Sequence, residues 1–434
     1  MSKILLIPGE NGGGQLSRSL FLGERLRAHG HSVGIALDKK HYALASKYQF
    51  SVFPLGNSFE NLLRFQLQRP YFPKIRAKNR GFKRPYFLEF DGISFRVPRE
   101  GYLSEKIVYH RMSRYGEIIR KFKPEVLIGD GHYLTSLLGK KYGLRVLQIS
   151  RLAEFAPAPE FFWWKSSDTR LVSPDALGPF RPLLHELKLA GLHRPEDLLR
   201  GDGYLVPANE VIEPVDTVEN DVLFTGPLTP INRPDTSGID YYKKNTAPKV
   251  FVSLGGGLPV SHEKQFFGII SEAFGGRNFE VLVSTKRKSL QRRFNNENNN
   301  ISFVNGIPRE QVIRQSDLVI YSGTYSTTMK VLLESKPALV IPTHSASEGY
   351  GRRLERLSVG KTLLPHERQL KKLIYDWPYG TFQMLGGFDL ALRAEDILSE
   401  SEQLLDVFDS ERAQILADSL KEQQRNMDFD TLIG

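Results

Sequence analysis

Short apolar runs alternate with amphipathic stretches along most of this chain, and the alternation restarts once. Lys3–Pro8 (KILLIP) leads into a glycine-rich turn at 9–14. Beyond it, Leu16, Leu20, Leu22 and Leu26 recur at helical spacing before Gly30. His31–Leu37 (HSVGIAL) predicts the next strand, so residues 3–37 read as strand, helix, strand with a right-handed crossover. The same order returns at 125–150, where EVLIGD is a strand of the buried type, LTSLLGKKYG a helix closed by Gly143, and LRVLQIS another strand.

Residues 226–249 (GPLTPINRPDTSGIDYYKKNTAPK) lack apolar periodicity and read as a linker. The pattern then resumes, with strands predicted at 249–257, 279–285, 301–308, 317–323 and 337–343 and helices between them. NNENNN at 295–300 reads as a surface loop, and 394–421 as helix packing across both units. The expected organisation is α/β, with two Rossmann-like parallel-sheet domains facing across a cleft. These occupy 1–225 and 249–393, with a linker at 226–248 and C-terminal helices over 394–434.

Composition narrows the function. A chain of 434 residues with 40% hydrophobic and 25% charged residues suits two globular cores. No apolar run is long enough to cross a bilayer, and MSKILLIPGE reads as a first strand rather than a leader. The absence of cysteine excludes disulfides, thiolate metal ligands and a cysteine nucleophile. A cytoplasmic location is expected, extending to the inner face of a membrane. The net charge of +10 calls for an anionic partner. Between Asn61 and Arg84 lie eight Lys or Arg and no acid, interleaved with Phe65, Tyr71, Phe72 and Phe82. Such a segment could stack on single-stranded nucleic acid, lie on anionic lipid, or be a solvated basic excursion. Nucleic acid is the least favoured of these.

Glycine triplets, Gly12 to Gly14 and Gly255 to Gly257, end the first strand of each half. At the C-terminal edge of a parallel sheet such loops let backbone N–H groups approach a phosphate. No Gly-Lys-Ser/Thr or GxGxxG spacing accompanies them, which argues against a nucleoside-triphosphatase loop. The densest signal is Asp317–Lys361. There Thr324, Ser326, Thr327 and Thr328 crowd the predicted start of a helix, suiting a diphosphate. For proton transfer, Asp130 and His132 (IGDGHY) end the 125–130 strand, where this architecture opens to its cleft. His110 and His344 are secondary candidates. No His, Asp or Glu spacing suggests a metal.

The Asp317–Lys361 segment resembles the donor-binding motif of GT-B glycosyltransferases, the group of the peptidoglycan N-acetylglucosaminyltransferase and of the antibiotic and macrolide glycosyltransferases. Gly323, Ser326, Thr327, Pro337, Pro342 and Glu348 fall on that motif. Phe224–Leu228 (FTGPL), Val252–Gly256 (VSLGG), Phe303–Pro308 (FVNGIP) and the opening Gly13-Gly14-Gln15-Leu-Ser-Arg18 extend the match over most of the chain.

The resemblance implies a hexosyltransferase using a nucleotide-diphosphate sugar, inverting, with neither metal nor separate cofactor. The acceptor would be a glycan, lipid-linked or small molecule. Gly255, Gly256, Gly257, Ser322, Gly323, Thr324, Ser326 and Thr327 would meet the diphosphate. Gly306 and Ile307 would hold the base, and Glu348 the sugar hydroxyls. Gly13, Gly14 and Gln15 would lie on the acceptor side. Three positions depart from the pattern: Met329 replaces a ribose-binding Glu, Gln15 a histidine and Gly349 a glutamine. An epimerase or hydrolase of the same fold, or a non-catalytic partner subunit, remains compatible with these residues.

Overall fold

The computed structural model describes residues 1–9, 13–38, 41–55, 86–89, 92–157, 172–218, 220–230, 239–243, 245–254, 260–295, 299–364, 370–387, 390–428 and 433. The basic segment 61–84 and the triplet Gly255 to Gly257 lie outside the described residues.

Two parallel sheets dominate. The first runs β3-β2-β1-β5-β6-β7-β8. Its strands are β1 (Lys3–Pro8), β2 (Ser32–Leu37), β3 (Ser51–Pro54), β5 (Val126–Asp130), β6 (Arg145–Ile149), β7 (Gly203–Val206) and β8 (Val222–Phe224), while β4 (Phe87–Glu89) belongs elsewhere. Alternate residues of β1 face opposite ways. Ile4 and Leu6 pack beneath helix α1 (Gly13–Ala28), and Leu5 and Ile7 pack with the apolar face of α3 (Glu105–Phe122), which follows α2 (Ile93–Arg99). Both faces of the sheet are therefore covered, as a parallel sheet requires.

The second sheet runs β11-β10-β9-β12-β13-β14. It comprises β9 (Lys249–Ser253), β10 (Glu280–Ser284), β11 (Ile301–Val304), β12 (Leu318–Tyr321), β13 (Ala338–Val340) and β14 (Gly360–Thr362). Val250, Val252 and Ile320 face one core while Phe251, Val319 and Tyr321 face the other. Helices α4 (Tyr325–Leu333) and α5 (Ser345–Arg356) follow β12 and β13.

In each sheet the order reverses next to the first strand, between β1 and β5 and between β9 and β12. Chain connections leave in opposite directions at such a point and open a crevice beyond the strand ends, where ligands of open α/β sheets bind.

A third, antiparallel sheet goes beyond the two parallel sheets that the sequence periodicity predicts. Strands β15 (Leu370–Trp377) and β16 (Gly380–Gly387) form a hairpin, and β16 pairs with β4. Leu373, Tyr375, Trp377, Phe382 and Met384 pack on Phe95, Leu103 and Ile107 of the N-terminal half, and Gln383 N–H donates to the Val172 carbonyl at 2.8 Å. Tyr86 and Phe87, early in the chain, are built into the core of the second sheet. The two halves thus exchange segments rather than meeting only at a hinge.

The helix Ser410–Arg425 adds another tie. Leu416 and Leu420 join the second sheet's core, Gln423 donates to the Phe224 carbonyl at 2.7 Å, and Met427 reaches the core beneath β1. Within 226–248, Gly226 is pressed against this helix. A Cβ there would lie 2.5 Å from the Gln424 nitrogen, and its φ of +65° already favours glycine.

Candidate active site

The C-terminal crevice is assembled almost wholly from consecutive residues. Strand β12 ends at Tyr321, Gly323 turns the chain at φ +72°, and Thr324 precedes the first turn of α4. Gly323 cannot carry a side chain without rearrangement, because a Cβ would sit 2.5 Å from the Ser347 carbonyl oxygen at the start of α5. That close approach tucks the turn against the next helix and leaves the N-terminal end of α4 at the crevice.

The hydroxyls divide their tasks. Thr328 pairs with Tyr321 Oη at 2.9 Å and donates to the Thr324 carbonyl, so it serves the helix. Thr324 Oγ1 donates to Thr327 Oγ1 at 3.1 Å, and Ser326 is half-buried on the same turn. Ser322 is buried. At the end of neighbouring β9, the Ser253 hydroxyl is buried and meets no hydrogen-bond partner among the described residues.

Gly306, at φ +74°, and Ile307 follow β11 at the same edge of the sheet. Glu348 lies buried in the first turn of α5, its Oε1 3.6 Å from Arg352 Nε. His344 accepts from the Ser347 N–H at 3.1 Å and so caps that helix. Met329 is fully buried in the core, so this helix position points away from the crevice.

The N-terminal crevice is built differently. Gly13 and Gly14 open α1 and are exposed. The Gln15 amide is wedged between the ends of β1 and β5, where a Cβ on Gly9 or Gly131 would meet it at 2.6 or 2.3 Å. Behind it, Arg18 grips Asp130 with both prongs, Nε to Oδ2 at 3.0 Å and Nη2 to Oδ1 at 2.6 Å. Burial opposes the charge of Arg18, but Asp130 more than offsets it and the guanidinium stays cationic. Burial also pushes the Asp130 carboxyl above its ordinary value while Arg18 pulls the other way.

A second cluster adjoins the first. Arg151 forks onto Glu154 at 2.9 and 2.5 Å, and Arg96 from α2 reaches the same carboxylate at 2.5 Å. Burial alone would raise Glu154, yet Arg151 and then Arg96 hold it well below the usual carboxylate range.

These geometries change the expected roles. The structure places Asp130 at the crevice, but both its oxygens are engaged by Arg18. His132 does not face the crevice. Its ring lies against Tyr115 of α3 at 4.7 Å, and Nδ1 is 3.0 Å from Thr135 Oγ1. Burial, with Arg111 adding repulsion, lowers it to about 3, too weak a base to take a proton from a hydroxyl near neutrality. Gly131 reverses the chain at φ +62° between the two residues, which is why neighbours in sequence end on opposite sides of the sheet edge. Sequence reading missed Arg18, Arg151 and Glu154. Arg18 was visible only as part of the opening motif, and nothing local links Arg151 to Arg18.

The two crevices meet. Tyr325, first residue of α4, lies beneath the Arg18 guanidinium at 5.0 Å and near that of Arg151 at 5.9 Å. Its hydroxyl donates to the Pro207 carbonyl. A few residues on, the buried Glu213 accepts from Leu152 N–H at 2.8 Å, from Arg353 at 3.1 Å and from the Tyr350 hydroxyl, joining N-terminal backbone to α5. The described residues contain no group of three His, Asp or Glu placed to hold a metal and no helix long and apolar enough to cross a membrane.

No family model matches the chain. Among curated proteins it is similar to the NDP-glycosyltransferase YjiC of Bacillus licheniformis, 23% identical over 264 residues, which is 56% of this chain and 61% of that protein. The chain matches less than two thirds of the length of the curated relatives found. Among solved structures it resembles the calicheamicin glycosyltransferase CalG4, with TM-score 0.65 and 15% identity over 98% of this chain and 95% of that one. It also resembles the spinosyn rhamnosyltransferase SpnG complexed with thymidine diphosphate, with TM-score 0.61 and 16% identity over 97% and 96%. The fold is GT-B.

Proposed function

We propose that this chain is a glycosyltransferase that takes a sugar from a nucleoside diphosphate and passes it to an acceptor held on the N-terminal half. One observation carries the reading: the switch-point crevices of the two sheets oppose each other, with Arg18 of one over Tyr325 of the other. A reaction that joins two substrates needs two crevices facing one another. The similarity to an NDP-glycosyltransferase and a UDP-glucosyltransferase, and the thymidine diphosphate in a structural neighbour, support the choice of donor class.

In this reading the diphosphate lies at the start of α4, served by Ser322, Gly323, Thr324, Ser326 and Thr327 and by the loop 255–257. Gly306 and Ile307 hold the base, and Glu348 takes sugar hydroxyls. Transfer inverts the anomeric carbon. The acceptor oxygen forms its bond to that carbon as the bond to the diphosphate breaks, the electron pair goes to the diphosphate, and the hydroxyl proton passes to the departing diphosphate oxygen. Helix dipole and guanidiniums supply the positive charge for the leaving group, so the mechanism we propose is metal-independent. Asp130 positions Arg18. The basic segment 61–84 is proposed to touch an anionic membrane, and co-sedimentation with phosphatidylserine vesicles at low salt tests it.

The test of the activity is thermal melting with UDP-, dTDP- and GDP-glucose, followed by assay of released nucleoside diphosphate over hours. At least one donor raises Tm by several degrees and is slowly hydrolysed. If none raises Tm at millimolar concentration, the reading is abandoned. A second reading is a subunit that binds nucleotide sugar without transferring it. The complete engagement of Asp130 by Arg18 favours it, and stabilisation without any release in the presence of acceptors would select it.

A further inference from the structure

The charged residues where the two crevices meet are layered. The carboxylates lie deepest, Asp130 and Glu154 being 0% and 1% exposed, and the guanidiniums cover them, Arg18 still buried at 6% and Arg96 and Arg151 forming the rim at 15% and 20%. Carboxylates at the back fix the forks in place, and what reaches the crevice is positive. Arg18 spends Nε and Nη2 on Asp130, leaving Nη1 outside that fork.

Opposite this rim lies another electropositive surface. The N-terminal end of a helix carries roughly half a positive charge, and α4 begins at Tyr325, the ring that both Arg18 and Arg151 overlie. The Tyr325 ring brings both guanidiniums to the start of α4, so their charge and the helix dipole address the same place. Beside the end of β12, the buried Ser253 hydroxyl has no partner among the described residues and offers a further donor at the same strand edge.

We propose that Arg18 and Arg151 close on the diphosphate of the donor from the N-terminal half, so that the anion site is completed by both halves of the molecule. This rests on the nucleotide-sugar reading and adds to it two residues more than sixty positions from any donor-side segment. Arg151, the more exposed fork, makes the larger contribution. Charge-assisted contacts of this kind reward phosphate and are indifferent to the base.

Calorimetric titration of the full chain with UDP and dTDP, with the matching nucleosides, and with inorganic pyrophosphate as competitor tests the proposal. Arg151→Met weakens the nucleoside diphosphates about tenfold and leaves nucleoside binding unchanged. Pyrophosphate binds the parent chain about tenfold more tightly than it binds the variant, and salt dependence flattens. Arg151→Lys, which keeps the charge without the fork, falls between, and decides the matter should Arg151→Met not fold. Equal affinity in parent and Arg151→Met, or an equal loss for the nucleoside, overturns the proposal while leaving the donor reading intact. Failure of the parent to bind any nucleoside diphosphate removes both.

Discussion

The two crevices differ in construction. On the C-terminal side, strand, turn and helix follow one another within Leu318–Leu333, and the groups at the strand edge are hydroxyls and backbone at a helix end. On the N-terminal side the strand ends supply little more than a frame. The charged groups are Arg18, Asp130, Arg151, Glu154 and Arg96, side chains hydrogen-bonded in pairs up to 112 positions apart. A site made from local backbone tolerates changes of side chain but not of conformation. One made from a buried ionic cluster tolerates neither the loss of a partner nor its neutralisation.

The largest expected effect is at Asp130. Asp130→Asn leaves the buried Arg18 without its counter-charge and costs about 3–5 kcal/mol of stability, to be read from urea unfolding. A loss below about 1 kcal/mol would show that the fork is dispensable and would blur the contrast between the crevices.

Gly323→Ala comes next. The left-handed turn penalises a side chain by about 1–2 kcal/mol, and the clash with the Ser347 carbonyl adds to it. We expect Tm to fall by several degrees and nucleoside diphosphate binding to weaken more than tenfold, since the turn must move. Retention of full nucleotide affinity would place the donor elsewhere.

His132 tests which side of the sheet edge matters. Its folded-state pKa of about 3 lies below its ordinary value of 6.5, so the unfolded chain takes up the proton first as pH falls. The parent therefore loses stability from about pH 6.5 down toward 3, at about 1.4 kcal/mol per pH unit from this group alone. His132→Gln should remove that slope between pH 6.5 and 5 and keep turnover within about twofold. Collapse of turnover with an intact fold would return catalysis to this residue.

The smallest effect belongs to Ser253→Ala. Stability should stay within about 0.5 kcal/mol, while nucleoside diphosphate affinity drops a few-fold, measured by the same titration.

How much could be read beforehand follows the same contrast. The run DLVIYSG, the hydroxyl-rich turn and the return strand PALVIPT are adjacent in the chain, so periodicity and turn chemistry disclosed them. The hairpin at 370–387 went unread although Leu373, Tyr375 and Trp377 alternate toward a Pro-Tyr-Gly turn, and its partner strand left no local mark. Nothing near Phe87–Glu89 states that these residues complete a sheet with β16. His132 shows the opposite failure. Asp130 and His132 end the same strand and so both read as candidates for proton transfer, and one glycine at positive φ sends the two side chains apart.

By itself, the sequence determined the alternating strands and helices of the two parallel-sheet units and the helix-end turn at 322–328, because each depends on hydrogen bonding and burial within a short span of chain. Only the tertiary structure decided which charges share the N-terminal crevice, which way His132 faces and that Arg18 meets Tyr325. Those outcomes depend on side chains packing across sheets, where the energy of a pair depends on distance in space and carries no mark of distance along the chain.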